Sequence, residues 1–101
     1  MILYINTKDQ KKVLVSLRKK GKIIKSLSKQ NKYGSQVLLP LISKILGQEK
    51  MNFKDIKEIA VETGPGSFTG LRVGVAVANA LGFALGILVN GKKIETDLHY
   101  L

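Results

Sequence analysis

Residues 63–74 read TGPGSFTGLRVG, and this stretch decides the fold. It follows a short apolar run, IAV at residues 59–61, which is typical of a buried strand. Gly64 and Gly66 flank Pro65, so two residues with free φ surround one whose φ is fixed at about −65°. We therefore expect the chain to leave the strand through a sharp turn.

The turn leads into a helix. Ser67 or Thr69 can cap its first turn, and the apolar sequence that follows predicts a helix to residue 85. A strand, a glycine-rich turn and a helix N-terminus in this order can bind an anion, although many such turns only connect two elements. The candidate anion-binding residues are Gly64, Gly66, Ser67 and Thr69.

Small residues recur at every fourth position of this helix. They are Gly66, Gly70, Gly74, Ala78, Gly82 and Gly86. Positions four apart lie on one helix face, and each glycine inside a helix costs about 1 kcal/mol relative to alanine. A close backbone contact must compensate for this cost. The contact is either with the helix's own sheet or with a helix from a second chain.

Positive charge is concentrated in the first part of the chain. The net charge is +10, and residues 8–32 hold ten Lys or Arg and one acid, Asp9. Residues 59–101 hold three charges of each sign. Such a field attracts polyanions, tRNA included, so a basic RNA-binding module is one alternative function. The same lysines also fit an ordinary solvated surface, and because aromatic residues are scarce we expect no readout of bases.

The residue types exclude several kinds of site. The chain has no cysteine, which excludes disulfides and thiolate metal sites, and His99 is its single histidine. Residues 73–89 approach the length of a membrane span, but Gly82 and Gly86 interrupt them and a strand-like sequence follows. We expect a cytoplasmic protein without a membrane segment or a metal site.

The remaining elements predict an α/β fold with a mixed sheet. Short turns join the first three strands, so these should form an antiparallel meander, and helical crossovers imply parallel pairing of the other two. The five strands are expected at residues 2–7, 12–17, 23–27, 59–61 and 87–89.

A second main helix is expected over residues 36–46, capped by Ser35. Its apolar residues follow helical spacing, and Leu39 and Leu46 widen the apolar arc beyond what one sheet needs. This width indicates a further contact. Residues 52–56 predict a short helical turn before the strand at 59–61.

The sequence of residues 64–86, GPGSFTGLRVGVAVANALGFALG, resembles the signature of the TsaB (YeaZ) family, and a weaker similarity extends over residues 1–91. These proteins take part in making threonylcarbamoyladenosine at position 37 of tRNA. The resemblance implies the ribonuclease H-like half-domain of the actin-like ATPases. Residues 92–101 match nothing in the family, whose members are about twice as long, so the second half-domain is expected to be absent and 92–101 to form a tail.

The resemblance also implies a role. TsaB proteins are regarded as non-catalytic partners that activate the transferase subunit TsaD, and the ATPase TsaE joins the complex. The family's pairing surface is formed by its two helices, which contact TsaD or a second TsaB. Carried onto this chain, it comprises Leu38, Leu39, Ile42, Leu46, Gly70, Arg72, Gly74, Val77, Ala78 and Leu81.

Two departures from the family weaken any catalytic role. Asn6 stands where members usually carry an aspartate, and Gly34-Ser35 replaces a histidine-containing pair. An asparagine supplies no carboxylate charge to Mg²⁺. We therefore expect no catalytic residues, and ATP with Mg²⁺ only at the interface of a complex. A nucleotide- or anion-binding protein that uses residues 64–69 is the other alternative.

Overall fold

The computed structural model describes residues 1–9, 11–30 and 35–100. Four strands form one sheet: β1 (Ile2–Asn6), β2 (Lys12–Lys19), β3 (Lys22–Gln30) and β4 (Glu58–Val61). Their order is β3-β2-β1-β4, with β1 antiparallel to β2, β2 antiparallel to β3, and β1 parallel to β4. The predicted meander and parallel crossover are confirmed.

Two helices cover one face of this sheet. Helix α1 (Ser35–Gln48) contacts β2 and β3, helix α2 (Phe68–Leu85) contacts β1 and β4, and the helices contact each other. The alternation of apolar residues turns one side of each strand toward them, because successive side chains in a strand point to opposite faces. The core lies between the helices and this side of the sheet, and includes Leu3, Ile5, Val13, Val15, Leu17, Leu38, Ile42, Ile45, Ile59 and Val75.

The caps explain where the helical elements begin and end. Ser67 Oγ accepts a hydrogen bond from Gly70 N at the start of α2, and Gly86 ends α2 at a φ of 68°. Asn52 caps the predicted short turn, a 3₁₀ helix at Phe53–Asp55. The predicted cap by Ser35 involves a side chain that lies outside the described part of the structure.

The sheet has four strands instead of the five predicted. The expected fifth strand at residues 87–89 makes a single bridge, between Val89 and Ile59. The reason is a tight turn: Asn90 and Gly91 have φ values of 52° and 76°, and Val89 pairs back onto Lys92. The chain reverses before a strand can extend. An Asn-Gly pair is the strongest short signal for such a turn, and it stands in the sequence.

Helix α2 alone among the described helices is long and apolar enough to cross a membrane by length and composition. Core helices of globular proteins meet the same criterion. Gly70, Leu71, Gly74, Val75, Ala78 and Gly82 of α2 are buried inside the chain, which is the packing of a core helix.

Candidate functional site

The loop that enters α2 lies at the end of β1 and is crossed by residues near the C-terminus. Gly66 N donates to His99 O at 3.2 Å, and His99 N donates to Thr63 O at 2.7 Å. Ser67 N donates to Lys8 O at 2.9 Å. The backbone amides that would bind an anion are thus already bonded to carbonyl groups of the chain.

The other predicted anion-binding groups are also engaged. Gly64 N donates to Glu62 Oε1 at 3.3 Å, and Ser67 Oγ accepts from Gly70 N at 3.2 Å. Thr69 is exposed. A carboxylate and a hydroxyl of the protein therefore occupy positions near which a phosphate would have to bind. The geometry favours a packing junction over an anion site.

The glycines of this segment allow close contacts that a side chain would block. A Cβ on Gly64, whose φ is +115°, would collide with His99 O, and one on Gly66 would lie 2.6 Å from Lys8 Cβ. A Cβ on Gly70 would collide with Thr7 O, and one on Gly74 with Thr7 Oγ1. The glycine face of α2 thus packs on the end of β1 within the same chain, the first of the two predicted alternatives.

Thr7 is the centre of this contact. It is fully buried, and its Oγ1 donates to Gly70 O at 2.6 Å. This bond satisfies a hydroxyl that would otherwise be buried without a partner, at a cost of about 1–3 kcal/mol. The sequence gave no signal for Thr7 beyond its place at the end of a strand.

Residues 92–100 pack against α2 and the loop. Asn79, the one strongly polar residue of α2, accepts from Glu95 N at 2.9 Å and donates to Glu95 O at 3.0 Å. The Phe68 and Tyr100 rings lie 4.6 Å apart. The predicted boundary after residue 91 stays a prediction, but this segment shares contacts with the rest of the fold.

An ion cluster stiffens the same segment. Lys92 Nζ lies 2.8 Å from Asp97 Oδ2 and 2.9 Å from Glu95 Oε2. Hydrogen bonds to Asp97 and then to Glu95 raise the pKa of Lys92, and the bond from Lys92 lowers the pKa of Asp97. Both charged forms are therefore stabilised around neutral pH.

A polar cluster lies on the sheet face opposite the helices. Tyr4 donates to Glu62 Oε2 at 3.2 Å, and the Arg18 guanidinium lies 4.0 Å from the centre of the Tyr4 ring. Burial, followed by the charge of Glu62, raises the pKa of Tyr4. The three side chains come from β1, β2 and the end of β4, and the sequence gave no sign that they meet.

Burial removes six of the ten predicted pairing residues from reach. Leu38, Ile42 and Leu46 of α1 are at most 2% exposed, and Gly70, Gly74 and Ala78 of α2 face this chain's own strands. This corrects the predicted surface, because the glycine stripe serves the intramolecular contact. The residues that a partner could still touch are Leu39, Arg72, Val77 and Leu81.

The outward face of α2 is apolar although it is exposed. Ala76, Ala80 and Ala84 follow each other at four-residue spacing, and Phe83 beside them is 90% exposed. Arg72 is the single charged residue of this helix, and its guanidinium lies 5.2 Å from the centre of the Phe68 ring. An exposed helix normally turns charged residues outward. This face therefore has the composition of a contact surface.

The catalytic groups of a nucleotide-hydrolysing site are not assembled here. Asn6 Oδ1 accepts from Lys8 N at 3.1 Å, so Asn6 closes a local turn. Within the described ranges, no three residues of the His, Cys, Asp and Glu types lie together as metal ligands would. Gly34 lies outside these ranges. The residues present do not fit an ATP–Mg²⁺ site, and we derive no catalytic step from them.

Comparisons with known proteins agree with these features. Residues 24–91 match a family model described as TsaD, tRNA N6-adenosine threonylcarbamoyltransferase. The chain is 38% identical over 73 residues to the tRNA threonylcarbamoyladenosine biosynthesis protein TsaB of Buchnera aphidicola subsp. Schizaphis graminum, covering 71% of this chain and 35% of that protein. It is 32% identical over 96 residues to TsaB of Bacillus subtilis, covering 94% and 42%.

A solved structure shows the same architecture. YeaZ from Pseudomonas aeruginosa superposes with a TM-score of 0.73 at 30% identity, over 87% of this chain and 41% of that one. The chain thus spans about two fifths of the length of the relatives it matches.

Proposed function

The chain belongs to the TsaD and TsaB (YeaZ) family of tRNA threonylcarbamoyladenosine biosynthesis proteins, and from this premise we propose that it is an accessory subunit of that pathway. It supplies no catalytic groups of its own. It binds a TsaD-type transferase subunit through the outward face of α2, and it pairs with itself when that subunit is absent.

The exposed apolar face of α2 carries this proposal. Alanines at four-residue spacing let the backbone of a second helix approach closely, and Val77, Leu81 and Phe83 add apolar area beside them. Leu39 of α1 is 46% exposed and could extend the same contact. The glycine face was the expected pairing surface, but it is already used inside the chain. A partner must therefore bind on the opposite side of α2.

A charge on this face tests the proposal. Ala80→Arg places a cation on the exposed side of α2, where it should leave the fold intact. Thr96→Arg adds the same charge at an exposed position of the C-terminal segment and is the matched control. Calorimetric titration with the TsaD-type subunit of the same organism should show affinity falling at least about tenfold for Ala80→Arg, equivalent to about 1.4 kcal/mol. Thr96→Arg should bind like the unchanged chain.

Two results would contradict the proposal. One is equal binding by both variants. The other is a chain that stays monomeric at millimolar concentration in light scattering and also fails to bind the transferase subunit.

A further inference from the structure

The hairpin of β2 and β3 carries charge that nothing nearby compensates. Residues 11–30 hold eight Lys or Arg and no acid. Within the described part of the chain, the only salt bridges are those of Lys92, far along the sequence. Lys19 and Lys22 even face each other across the two strands, and like charges in that position repel. Such an arrangement is costly for folding and indicates an external anionic partner.

Strand β3 is placed for contact with a partner and adds little to the core. It is the outer strand of the sheet, and seven of its nine residues are exposed. The two that are partly buried are Lys25 and Leu27. An edge strand also presents backbone donors and acceptors that no neighbouring strand uses.

A groove runs between β3 and α1. Its volume is about 470 Å³, its floor includes Leu27 and Val37, and its lining includes Lys29 from β3 and Lys44 from α1. Ser28 and Gln36 add polar groups. An apolar floor with cations beside it suits a ligand that combines flat bases with a chain of phosphates.

We propose that this groove binds a single-stranded or looped segment of RNA, with the phosphates on Lys29 and Lys44 and a base against the apolar floor. Single-stranded loops expose bases in the way that such a floor requires, whereas duplex RNA hides them. The proposal rests on the proposed function only for the choice of tRNA as the RNA. The groove lies on α1 and β3, so it leaves the outward face of α2 free for a protein partner.

The shape of the site separates RNA from a membrane surface. A bilayer would be expected to use Ile23 and Ile24, which are 60% and 43% exposed beside the lysine-rich turn. A flat lipid surface cannot enter the groove that Lys29 and Lys44 line, but a nucleic-acid strand can. The lysines of the groove therefore distinguish the two partners.

The test compares two pairs of lysines. Lys29→Gln/Lys44→Gln removes the groove cations, and Lys54→Gln/Lys57→Gln removes two exposed lysines elsewhere. Fluorescence anisotropy with labelled tRNA, across a series of salt concentrations, gives the slope of log affinity against log salt. We expect the groove variant to flatten this slope by about two, one for each lost phosphate contact. The control pair should leave the slope unchanged.

Three outcomes would overturn the assignment. An equal change of slope in both variants would mean diffuse attraction to the whole surface, and no binding of tRNA at low salt would remove the site. Phosphatidylserine vesicles that bind the chain while tRNA does not would identify a membrane partner instead. Thermal unfolding by circular dichroism verifies that both variants fold. Because the chain is tested alone, failure here leaves the Ala80→Arg result on partner binding unaffected.

Discussion

The contact between Thr7 and Gly70 shows what the glycine signature does in this fold. The carbonyl and hydroxyl of Thr7 both lie against α2, one where a Cβ of Gly70 would be and the other where a Cβ of Gly74 would be. Backbone atoms at the end of β1 cannot move aside without distorting the sheet. The requirement for glycine is therefore steric, and it concerns stability before function.

Gly70→Ala should destabilise the fold by about 1–3 kcal/mol, because the new methyl group meets Thr7 O in a packed interior. Gly47→Ala is the matched control in α1, since nothing lies within 4 Å of its added Cβ. There the gain in helix propensity should stabilise by up to about 1 kcal/mol. Urea unfolding of the three proteins measures both changes. Equal effects of opposite-facing glycines would contradict the steric explanation.

Gly74→Ala should cost less when Thr7 is also changed. Thr7→Ala removes the Oγ1 and Cγ2 atoms that the added methyl group would meet. The two substitutions share one contact, so their free energies of unfolding should couple by about 0.5–3 kcal/mol. A double-mutant cycle by urea unfolding measures this coupling, and strict additivity would show that the clash lies elsewhere.

Tyr4 predicts a specific loss of stability in alkali. Its folded pKa is raised above 10.0, first by burial and then by Glu62. A raised folded pKa means that the stabilisation is intact below the unfolded pKa and disappears as pH rises through the folded value. The lysines also titrate there, but equally in Tyr4→Phe. The stability difference between the two proteins should stay constant up to about pH 9 and then shift in favour of Tyr4→Phe. A difference that never changes with pH would contradict the assignment.

At the scale of elements, two asparagines act as substitutes for backbone. The Asn79 carboxamide pairs with both backbone groups of Glu95, and the Asn90 carboxamide pairs in the same way with Val61. Each makes the two hydrogen bonds that a neighbouring strand residue would make. The first attaches residues 92–100 to α2, and the second completes the outer edge of β4.

Asn79→Ala should loosen the segment from residue 92 to residue 100. Removing both bonds leaves the Glu95 backbone groups without their partners, which should cost about 1–3 kcal/mol locally. Hydrogen exchange at Glu95 N and His99 N should accelerate, while exchange at Leu3 N in the central strand should change less. Asn52→Ala, which removes a distant cap, is the control. Unchanged exchange at Glu95 would show that the ion cluster around Lys92 holds the segment without Asn79.

Most elements could be predicted because local patterns specify them. Alternation of apolar residues, the Ser67 cap and the glycine turn gave the meander, α2 and the parallel crossover. The fifth strand was overestimated because IleLeuVal at residues 87–89 has strand composition, whereas Asn90-Gly91 reverses the chain. The direction of the glycine face and the Tyr4–Glu62 pair depend on contacts between distant parts of the chain, which a local pattern does not encode.

At the scale of the whole molecule, charge and apolar surface are separated. The uncompensated lysines lie on the β2–β3 side, while α2 and the residues after it carry no net charge. Each side therefore suits a different partner, a polyanion on one and a protein on the other. The separation also means that repulsion among lysines is concentrated in one hairpin.

The melting temperature should rise with sodium chloride. From about 0.1 M to about 1 M salt, the screening length falls from about 10 Å to about 3 Å, which weakens the repulsion. Lys19→Glu replaces a facing pair of like charges by an attractive pair with Lys22. It should melt higher than the unchanged chain at low salt and gain less from added salt. A melting temperature that is level or falls in chloride would contradict this account.

The two edges of the sheet are protected by different means, and this has a consequence for storage and for association with nucleic acid. At β4 the Asn90 carboxamide occupies Val61's hydrogen-bonding groups whatever the ionic strength. At β3 only the mutual repulsion of lysines keeps a second copy from pairing, and neutralising anions remove it. We therefore expect fibrous aggregates to grow from β3 in concentrated salt or at charge-neutral ratios of RNA, so an excess of either component should keep the protein clear in solution.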